Sequence, residues 1–400
     1  MNVEELLGRR ERMYKALGGT PLIMTAYNAL QKSADMAHAF TQDASFLWLT
    51  GINEPGWQCV IEGGTLTLVA PERDDVHILF DGGLTNEEAK QISGADAVLS
   101  RSEGDVMIKA LSDTYPAVYA VGEDPHAEHY SFVENGAQKQ LLMQLEALFT
   151  EVKDARLIFA QLRALKSERE VDAIRKAIAV SIEGFKSVRD QLSESRYEYE
   201  IEAELNSAFR KTGAEGHAYE PIVASGAHAC TLHYATNNDA LPCDGLLLID
   251  AGAKVDGYAA DITRTYAMGT PTARQIAVHE AVQKAHFKII DLIKPGVTLK
   301  RYQHDVDEIM KDALESLGLL KDRSDEKMYR KYFPHAVGHG LGLDVHESLG
   351  GSGEFKPGMV LTVEPGIYIP EEGIGVRIED DILVTETGNE NLSAGLSTSL

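Results

Sequence analysis

The spacing of hydrophobic and polar residues divides the chain into two halves. Before about residue 155, short apolar runs alternate with stretches of helical periodicity, which is the pattern of a mixed α/β domain. The predicted strands are residues 21–25, 45–50, 59–61, 65–70, 76–80 and 117–121, with a hairpin turn at Gly63-Gly64. The predicted helices are residues 1–17, 86–92, 104–111 and 137–149. We assign residues 1–157 to this domain, in which no cluster of acids or histidines suggests chemistry.

The second half, residues 158–400, begins with long helical patterns and ends in glycine-rich, strand-like sequence. Ser167 is a predicted N-cap for a helix whose apolar positions, among them Val171 and Ile174, recur at helical spacing. Further helices are predicted at 197–211, 273–292 and 299–317, the first of them ending at Gly213. Because helices and antiparallel hairpins come in separate runs, the predicted fold class is α+β.

The segment LLLIDAGAKVDGYAADITRTY predicts a β-hairpin that carries two acids. Asp256-Gly257 is a strong two-residue turn signal between two strand-like runs. With that turn, one strand face carries Asp250, Gly252, Asp261 and Thr263. Gly252 lies opposite Asp261 and is expected to leave empty volume beside the acids. Two buried like charges repel each other unless cations lie between them, so we expect metal ions on this face.

Four further segments of the second half carry acids and histidines among glycines or along alternating strands. Their candidate residues are His228, His233, His335, His339, His346, Glu364, Tyr368, Arg377 and Glu379. Taken alone, His339 is either a satisfied core histidine or a ligand, and Glu379 beside Arg377 is either half of a salt bridge or part of a site. Glu364 ends a buried strand, where a carboxylate needs a partner charge.

Together these residues predict a two-metal hydrolytic centre. Two aspartates, two glutamates and one histidine form an oxygen-rich set, which suits Mn²⁺ or similar cations better than a structural zinc. The charges of four carboxylates balance those of two divalent ions, and a bridging hydroxide then leaves one net negative charge. Such a pair of ions can activate a water and polarise a substrate carbonyl. The sequence contains no G-x-S-x-G elbow and no H-E-x-x-H pair, which disfavours serine hydrolases and simple zincins.

Composition narrows the partners and the location. The formal net charge of −24 argues against nucleic acid and against an anionic membrane surface. No apolar run approaches the roughly 18 residues that span a bilayer, and the N-terminus lacks a signal-peptide pattern. The three cysteines show no C-x-x-C spacing, which fits reduced thiols. We therefore expect a cytoplasmic protein.

At these residues the sequence resembles the pita-bread metallopeptidases, and within them the Xaa-Pro group of aminopeptidase P and prolidase. The matching motifs are IDAG with GYAADITRTY, HAVGHGLGLDVHE, TVEPGIYI, GVRIEDD, the N-terminal FTQDASFLWLTGINEPG and the interdomain LRALKSEREVDAIRKA. The resemblance covers essentially the whole chain. It implies a C-terminal pita-bread catalytic domain preceded by a smaller, ribonuclease-H-like (creatinase-type) α/β domain, which often helps form a dimer or tetramer.

The resemblance also implies a role for each candidate residue. The metal ligands would be Asp250, Asp261, His339, Glu364 and Glu379. Glu364 would in addition act as general base, and His346 would steady the scissile carbonyl or the oxyanion. His335, a further catalytic candidate, would shape the substrate site together with the substrate-binding candidates His233, Arg377, Tyr219 and Tyr368. The expected cofactors are two divalent ions, Mn²⁺ first, with Co²⁺ or Zn²⁺ as alternatives.

The expected substrates are small proline-containing peptides. The segments between His346 and Phe355 and between Tyr368 and Arg377 are shorter than in many aminopeptidases P and larger prolidases. We favour an Xaa-Pro dipeptidase (prolidase), with Arg377 as a partner for a free C-terminal carboxylate. The alternative is an Xaa-Pro aminopeptidase acting on longer peptides, and the remote alternative is a non-catalytic peptide- or protein-binding module. A non-catalytic module typically loses metal ligands, whereas this sequence keeps all five. We expect a homodimer, with a tetramer as the alternative.

Overall fold

The computed structural model describes residues 2–122 and 132–400, and the chain divides into two compact units, Met1–Leu162 and Arg163–Leu400. The sequence suggested a boundary after residue 157, five residues before the division between these two units. Both positions fall inside one helix, Arg156–Ala164, so no loop or change of composition marks the division.

The described part of the first unit contains a six-stranded mixed sheet. The strands of this sheet are β1 (Leu22–Thr25), β4 (Gln58–Glu62), β5 (Thr65–Val69), β6 (Ala97–Leu99), β7 (Ala117–Ala120) and β8 (Glu151–Asp154). Two further strands, β2 (Gln31–Ser33) and β3 (Met36–Ala37), form a small separate hairpin. The order across the sheet is β6-β5-β4-β1-β7-β8. The β1–β4 and β4–β5 pairs are antiparallel, and the other neighbours are parallel. Gly63 and Gly64, both at positive φ, make the predicted turn between β4 and β5.

Two predicted strands of the first unit are wrong. The helices here are Val3–Leu17, Ala44–Thr50, Asp75–Asp81, Asn86–Ser93, Arg101–Thr114, Gly136–Leu148 and Arg156–Ala164. Residues 45–50 and 76–80 are therefore helical, because Asp43 and Asp74 cap these segments by accepting the N–H groups of Phe46 and His77. The first segment is buried on all sides, and a short apolar run of that kind has no period that separates helix from strand.

The four long helices of the second unit lie where the sequence predicts them, and the short helix Glu326–Tyr332 was not predicted. The helices are Glu168–Gln191, Glu198–Lys211, Ala273–Ile290, Leu299–Ser316 and the short Glu326–Tyr332, with 3₁₀ turns at Gly226–Cys230 and Pro370–Glu372. Ser167 caps the first of them through a reciprocal capping box with Glu170. Helices Ala273–Ile290 and Leu299–Ser316 bury Val282, Ile289 and Val306 against the C-terminal strands, forming the main core of this unit.

The strands of the second unit form small antiparallel sheets. They are β9 (Gly216–His217), β10 (Ile222–Ser225), β11 (Gly245–Ala251), β12 (Ala253–Val255), β13 (Tyr258–Ala259), β14 (Ile262–Met268), β15 (Val360–Val363), β16 (Gly366–Ile369), β17 (Ile374–Arg377), β18 (Asp380–Val384) and β19 (Asn389–Asn391). The sheet orders are β10-β11-β14, β13-β12-β9, β15-β18-β19 and β16-β17. Separate helices and antiparallel strands confirm the α+β class for this unit.

The predicted hairpin and its register are confirmed. Val255 pairs with Tyr258 across the Asp256-Gly257 turn, and Asp250 pairs with Thr263 further along the same two arms. The expectation of empty volume at Gly252 is wrong. A Cβ placed on Gly252 would lie 1.7 Å from the carbonyl oxygen of Ala260, so the opposite backbone already fills that space. Glycine is required here for the close approach of the two arms, which brings Asp261 alongside Asp250.

Candidate metal centre

Three buried carboxylates converge on the hairpin face. Asp250 lies on β11, Asp261 immediately precedes β14, and Glu379 lies between β17 and β18. Their exposed fractions are 7%, 4% and 2%. Thr263 joins them, since it pairs with Asp250, forms an isolated bridge with Glu379 and donates its hydroxyl to Glu379 Oε2 at 2.7 Å. One potential ligand atom from each of the three acids lies within 4.8 Å of the others.

His339 and Glu364 complete this cluster of potential ligands. His339 Nε2 lies 3.5 Å from Asp261 Oδ2 and 3.6 Å from Glu364 Oε1. His339, Glu364 and Glu379 form a second group with ligand atoms within 4.8 Å, and Asp261, His339 and His346 form a third. All five predicted metal ligands therefore lie together, although they are separated by more than a hundred residues along the chain.

The backbone of β15 holds His339 in place. The N–H of His339 donates to Thr362 Oγ1 at 3.1 Å, and the N–H of Thr362 donates to the carbonyl of His339 at 2.9 Å. The ring Nδ1 lies 3.0 Å from the carbonyl oxygen of Gly340. Because a carbonyl only accepts, Nδ1 carries the proton and the Nε2 lone pair faces the acids, which is the arrangement of a metal-ligating histidine.

Close packing explains the glycine before His339. A Cβ on Gly338 would lie 2.0 Å from the carbonyl oxygen of Thr362. Because Gly338 has no side chain, the backbone of β15 can approach it this closely. Thr362 itself was not singled out from the sequence, because a threonine in the apolar run LTV reads as an ordinary strand residue.

The electrostatics of the cluster fit divalent cations. Burial, followed by the charges of neighbouring acids, raises the pKa of Asp261, Glu364 and Glu379 well above their usual values. Burial also lowers the pKa of His339 to about 4, which keeps the imidazole neutral and able to ligate. A set of buried acids that repel one another beside a neutral imidazole matches the ligands that Mn²⁺-like ions prefer.

Arg377 and two tyrosines surround the acids. Arg377 is 4% exposed and donates to Asp250 Oδ2 at 2.5 Å, to Tyr368 Oη at 2.9 Å and to Thr263 Oγ1 at 3.1 Å. The hydroxyl of Tyr219 lies 2.5 Å from Asp250 Oδ1 and 2.6 Å from Asp261 Oδ1. These contacts orient the acids from outside the cluster.

The predicted catalytic and substrate-binding histidines lie at the edge of this centre. His335 Nδ1 donates to the carbonyl of Ala336 at 2.6 Å, so Nε2 accepts from the Tyr368 hydroxyl at 2.9 Å. The His346 ring lies 4.2 Å from that of His339, centroid to centroid, and is exposed. Burial, and then the charge of His233, lower the pKa of His346. His233 itself is exposed and lies outside the helices and strands. His228 instead contacts Glu198 and Asp239.

Family comparisons agree with this geometry. The model described as Metallopeptidase family M24 matches residues 172–386, and the model described as Aminopeptidase P, N-terminal domain matches residues 7–119. The chain belongs to metallopeptidase family M24. As an M24 metallopeptidase it is an enzyme, and the resemblance to the Xaa-Pro group is confirmed. The cluster around Asp250 and His339 thus lies within the matched metallopeptidase region.

Curated relatives of this M24 metallopeptidase include both Xaa-Pro specificities. The Xaa-Pro aminopeptidase of Escherichia coli K12 is 33% identical over 98% of this chain and 95% of that protein. Xaa-Pro aminopeptidase 3 of Rattus norvegicus is 33% identical over 90% of this chain and 76% of that protein. The Xaa-Pro dipeptidase of Pyrococcus furiosus is also 33% identical, but over 66% of this chain and 71% of that protein.

Solved structures confirm the two-domain fold. A putative aminopeptidase P from Bacillus anthracis matches with a TM-score of 0.88 at 30% identity, covering 100% of this chain and 96% of that chain. The low-pH form of aminopeptidase P from E. coli matches with a TM-score of 0.87 at 31% identity and the same coverage. The creatinase-type first domain and the pita-bread second domain are therefore as expected. Among the described residues, none of the helices is both long and apolar enough to cross a membrane.

Proposed function

We propose that this M24 metallopeptidase is an Xaa-Pro aminopeptidase, which removes the residue before proline from peptides longer than two residues. The full-length match supports this assignment most strongly. The E. coli Xaa-Pro aminopeptidase aligns over 98% of this chain, whereas the P. furiosus Xaa-Pro dipeptidase aligns over 66%. The dipeptidase that the sequence favoured is thus the less supported of the two, and loop length was the wrong criterion.

The surroundings of Arg377 also favour the aminopeptidase. A dipeptidase must hold the C-terminal carboxylate of its substrate, and Arg377 was the residue considered for that role. In the structure this guanidinium is buried and directed to Asp250, Tyr368 and Thr263. An arginine with these partners orients a metal ligand, and three of its donors are already taken by protein groups.

The proposed cofactors are two divalent ions, with Mn²⁺ as the first choice. Asp250, Asp261, His339, Glu364 and Glu379 would hold them, because these residues bring four carboxylates and one neutral imidazole together. Bound there, the ions would supply Lewis acidity, which activates a water and polarises the scissile carbonyl.

Glu364 is the proposed general base. Its carboxylate lies between His339 and His335, with Oε1 3.6 Å from His339 Nε2 and Oε2 3.7 Å from His335 Nδ1. Burial and then the charge of Glu379 raise the pKa of Glu364. Its carboxylate would accept a proton from the attacking water. The water oxygen bonds to the carbonyl carbon, the carbon–nitrogen bond before proline breaks, and the Glu364 proton passes to the proline nitrogen.

The edge residues would bind the substrate. His346 is exposed beside His339 and can donate to the carbonyl oxygen as negative charge develops on it. His335 and Tyr368 form a hydrogen-bonded pair fixed by Arg377, and with His233 they would shape the proline side of the site. Tyr219 would orient Asp250 and Asp261, and its effect on the substrate would be indirect, through the positions of these two acids.

Turnover of three peptides tests the proposal. With Mn²⁺ present, kcat/KM for Ala-Pro-Ala should exceed that for Ala-Pro by at least about tenfold, because the dipeptide lacks groups whose binding energy assists the transition state. Ala-Ala-Ala should be cleaved more slowly than Ala-Pro-Ala, by a similar factor. The measurement is release of free alanine, resolved from the remaining peptide by chromatography.

The Glu364→Gln variant, purified in parallel, is the blank for contaminating peptidases. Faster cleavage of Ala-Pro than of Ala-Pro-Ala would restore the dipeptidase assignment. Absence of turnover with all three peptides in a metal-replete sample would instead favour the non-catalytic binding module.

A further inference from the structure

Glu347, which follows His346, is a buried acid that the mechanism above does not use. Its side chain is 4% exposed and forms ion pairs with two cations, Arg163 Nη2 at 2.6 Å and Lys166 Nζ at 2.9 Å. Both belong to the motif LRALKSERE, for which the sequence suggested no chemical role. Burial alone would raise the pKa of Glu347, but Arg163 and Lys166 outweigh it and hold the pKa at about 2. The carboxylate is therefore charged whenever the enzyme is folded near neutral pH.

The backbone around Glu347 closes a turn that carries two site histidines. The N–H of Gly340 donates to the carbonyl of Glu347 at 3.0 Å, and the N–H of Glu347 donates to the carbonyl of Gly340 at 2.7 Å. This reciprocal pair joins the residue after His339 to the residue after His346. The ring contact between the two histidines therefore depends on the pairing of their neighbours.

The Glu347 side chain fills the interior of the same turn. Its Oε1 accepts the N–H of Leu343 at 2.9 Å. A Cβ on Gly342 would lie 2.4 Å from Oε1, so the turn is wrapped closely around the carboxylate. The carbonyl of Gly342 in turn accepts the N–H of Ala259, on the hairpin arm that leads to Asp261. The turn thus has one fixed connection to β15 at His339 and another to the metal-binding hairpin.

We propose that Glu347, held by Arg163 and Lys166, is a positioning residue that fixes the 340–347 turn and thereby sets where His339 and His346 lie. The proposal deepens the function proposed above and rests on it for the catalytic roles of the two histidines. Arg163 also forms an ion pair with Asp344 at 2.7 Å, so its guanidinium contacts two residues of the turn, Asp344 and Glu347. Outer partners of this kind govern metal affinity and the placement of reacting groups.

The test is Glu347→Gln, which keeps the size of the side chain and removes its charge. With saturating Mn²⁺, we expect kcat on Ala-Pro-Ala to fall about tenfold to hundredfold, with a much smaller change in KM. The Mn²⁺ dissociation constant, measured by equilibrium dialysis and elemental analysis, should rise by about tenfold or more.

Glu170→Gln is the matched control, because Glu170 is another buried glutamate of the same unit and accepts from the Tyr258 hydroxyl at 2.8 Å. It should lower the melting temperature while leaving kcat and Mn²⁺ affinity near those of the wild type. Equal losses of kcat in the two variants, at a temperature where both are folded, would show a merely structural effect and overturn the proposal. So would wild-type kcat and Mn²⁺ affinity in Glu347→Gln.

A milder variant covers the case in which Glu347→Gln does not fold. Lys166→Met leaves Arg163 in place, and it should lower kcat and Mn²⁺ affinity in the same direction; a folded Lys166→Met with unchanged values contradicts the proposal. Activity of the wild-type enzyme on Ala-Pro-Ala tests the proposed function separately from the role of Glu347. If wild-type enzyme fails to cleave Ala-Pro-Ala, the proposed function is wrong, while the Mn²⁺ affinities of the variants still decide whether Glu347 positions the turn.

Discussion

Asp250→Asn should lose bound metal and peptidase activity together. Asp250 is a buried acid that faces Asp261 and Glu379, and asparagine offers a neutral oxygen where the site needs a charge to balance divalent ions. The change also removes the partner of Arg377, leaving a buried cation without its closest carboxylate. We expect kcat/KM on Ala-Pro-Ala to fall by about three orders of magnitude, the scale of losing one electrostatic stabiliser of a transition state.

Asp256→Asn is the matched control for this prediction. It makes the same chemical change in the same hairpin, at an exposed turn position with φ of 53° that asparagine tolerates well. The control should keep both its metal and its activity. Retention of two ions per chain by Asp250→Asn, measured by elemental analysis, would refute the assigned ligand set.

His346→Ala should retain metal and lose turnover. The exposed His346 ring lies beside His339, the proposed metal ligand, and is the proposed donor to the substrate carbonyl. Removing one donor to a developing oxyanion lowers kcat by roughly 10²- to 10³-fold. KM should change much less, because the interaction strengthens only in the transition state.

The competing role for His346 is that of a ligand, since one of its ring nitrogens lies within 4.8 Å of potential ligand atoms of Asp261 and His339. Elemental analysis of His346→Ala decides between the two roles. Loss of metal in proportion to loss of activity would make it a ligand and the oxyanion role wrong. His304→Ala, at an exposed histidine of helix Leu299–Ser316, controls for the loss of an imidazole as such.

The hairpin could be predicted because its signals are local. Asp256-Gly257 specifies a two-residue turn, and the alternation of side chains along each arm then fixes the pairing of Asp250 with Thr263. The fold of the hairpin and its pair of acids thus follow from about twenty neighbouring residues. The addition of His339, Glu364 and Glu379 to the same centre rested on their residue types and on the resemblance to a known family, since residues so distant in sequence carry no local sign of contact.

The features that sequence reasoning missed depend on tertiary packing. The space at Gly252 is filled by the carbonyl of Ala260, which no pattern in the hairpin reveals. Residues 45–50 form a helix because Asp43 caps them and the protein buries every side of the segment. Glu347 is separated from Arg163 and Lys166 by more than 180 residues in the sequence. Its burial and its ion pairs therefore could not be inferred without the three-dimensional structure.

Specificity was the least predictable property. Short segments after His346 and Tyr368 suggested a dipeptidase, but the full-length relatives favour an aminopeptidase. The length of a loop affects the shape of the substrate site, but it does not determine whether the site excludes long peptides or short ones. The expected homodimer, the tetramer alternative and the cytoplasmic location stay predictions.

The central claim is that the acids on this hairpin and its neighbours form a two-metal hydrolytic site, and a metal titration tests it most directly. Protein stripped with a chelator and dialysed should be inactive on Ala-Pro-Ala. Added Mn²⁺ should restore activity until two ions are bound per chain, with bound metal and turnover measured in the same samples. Full activity in the metal-free protein, or saturation of activity with a single ion per chain, would contradict the account.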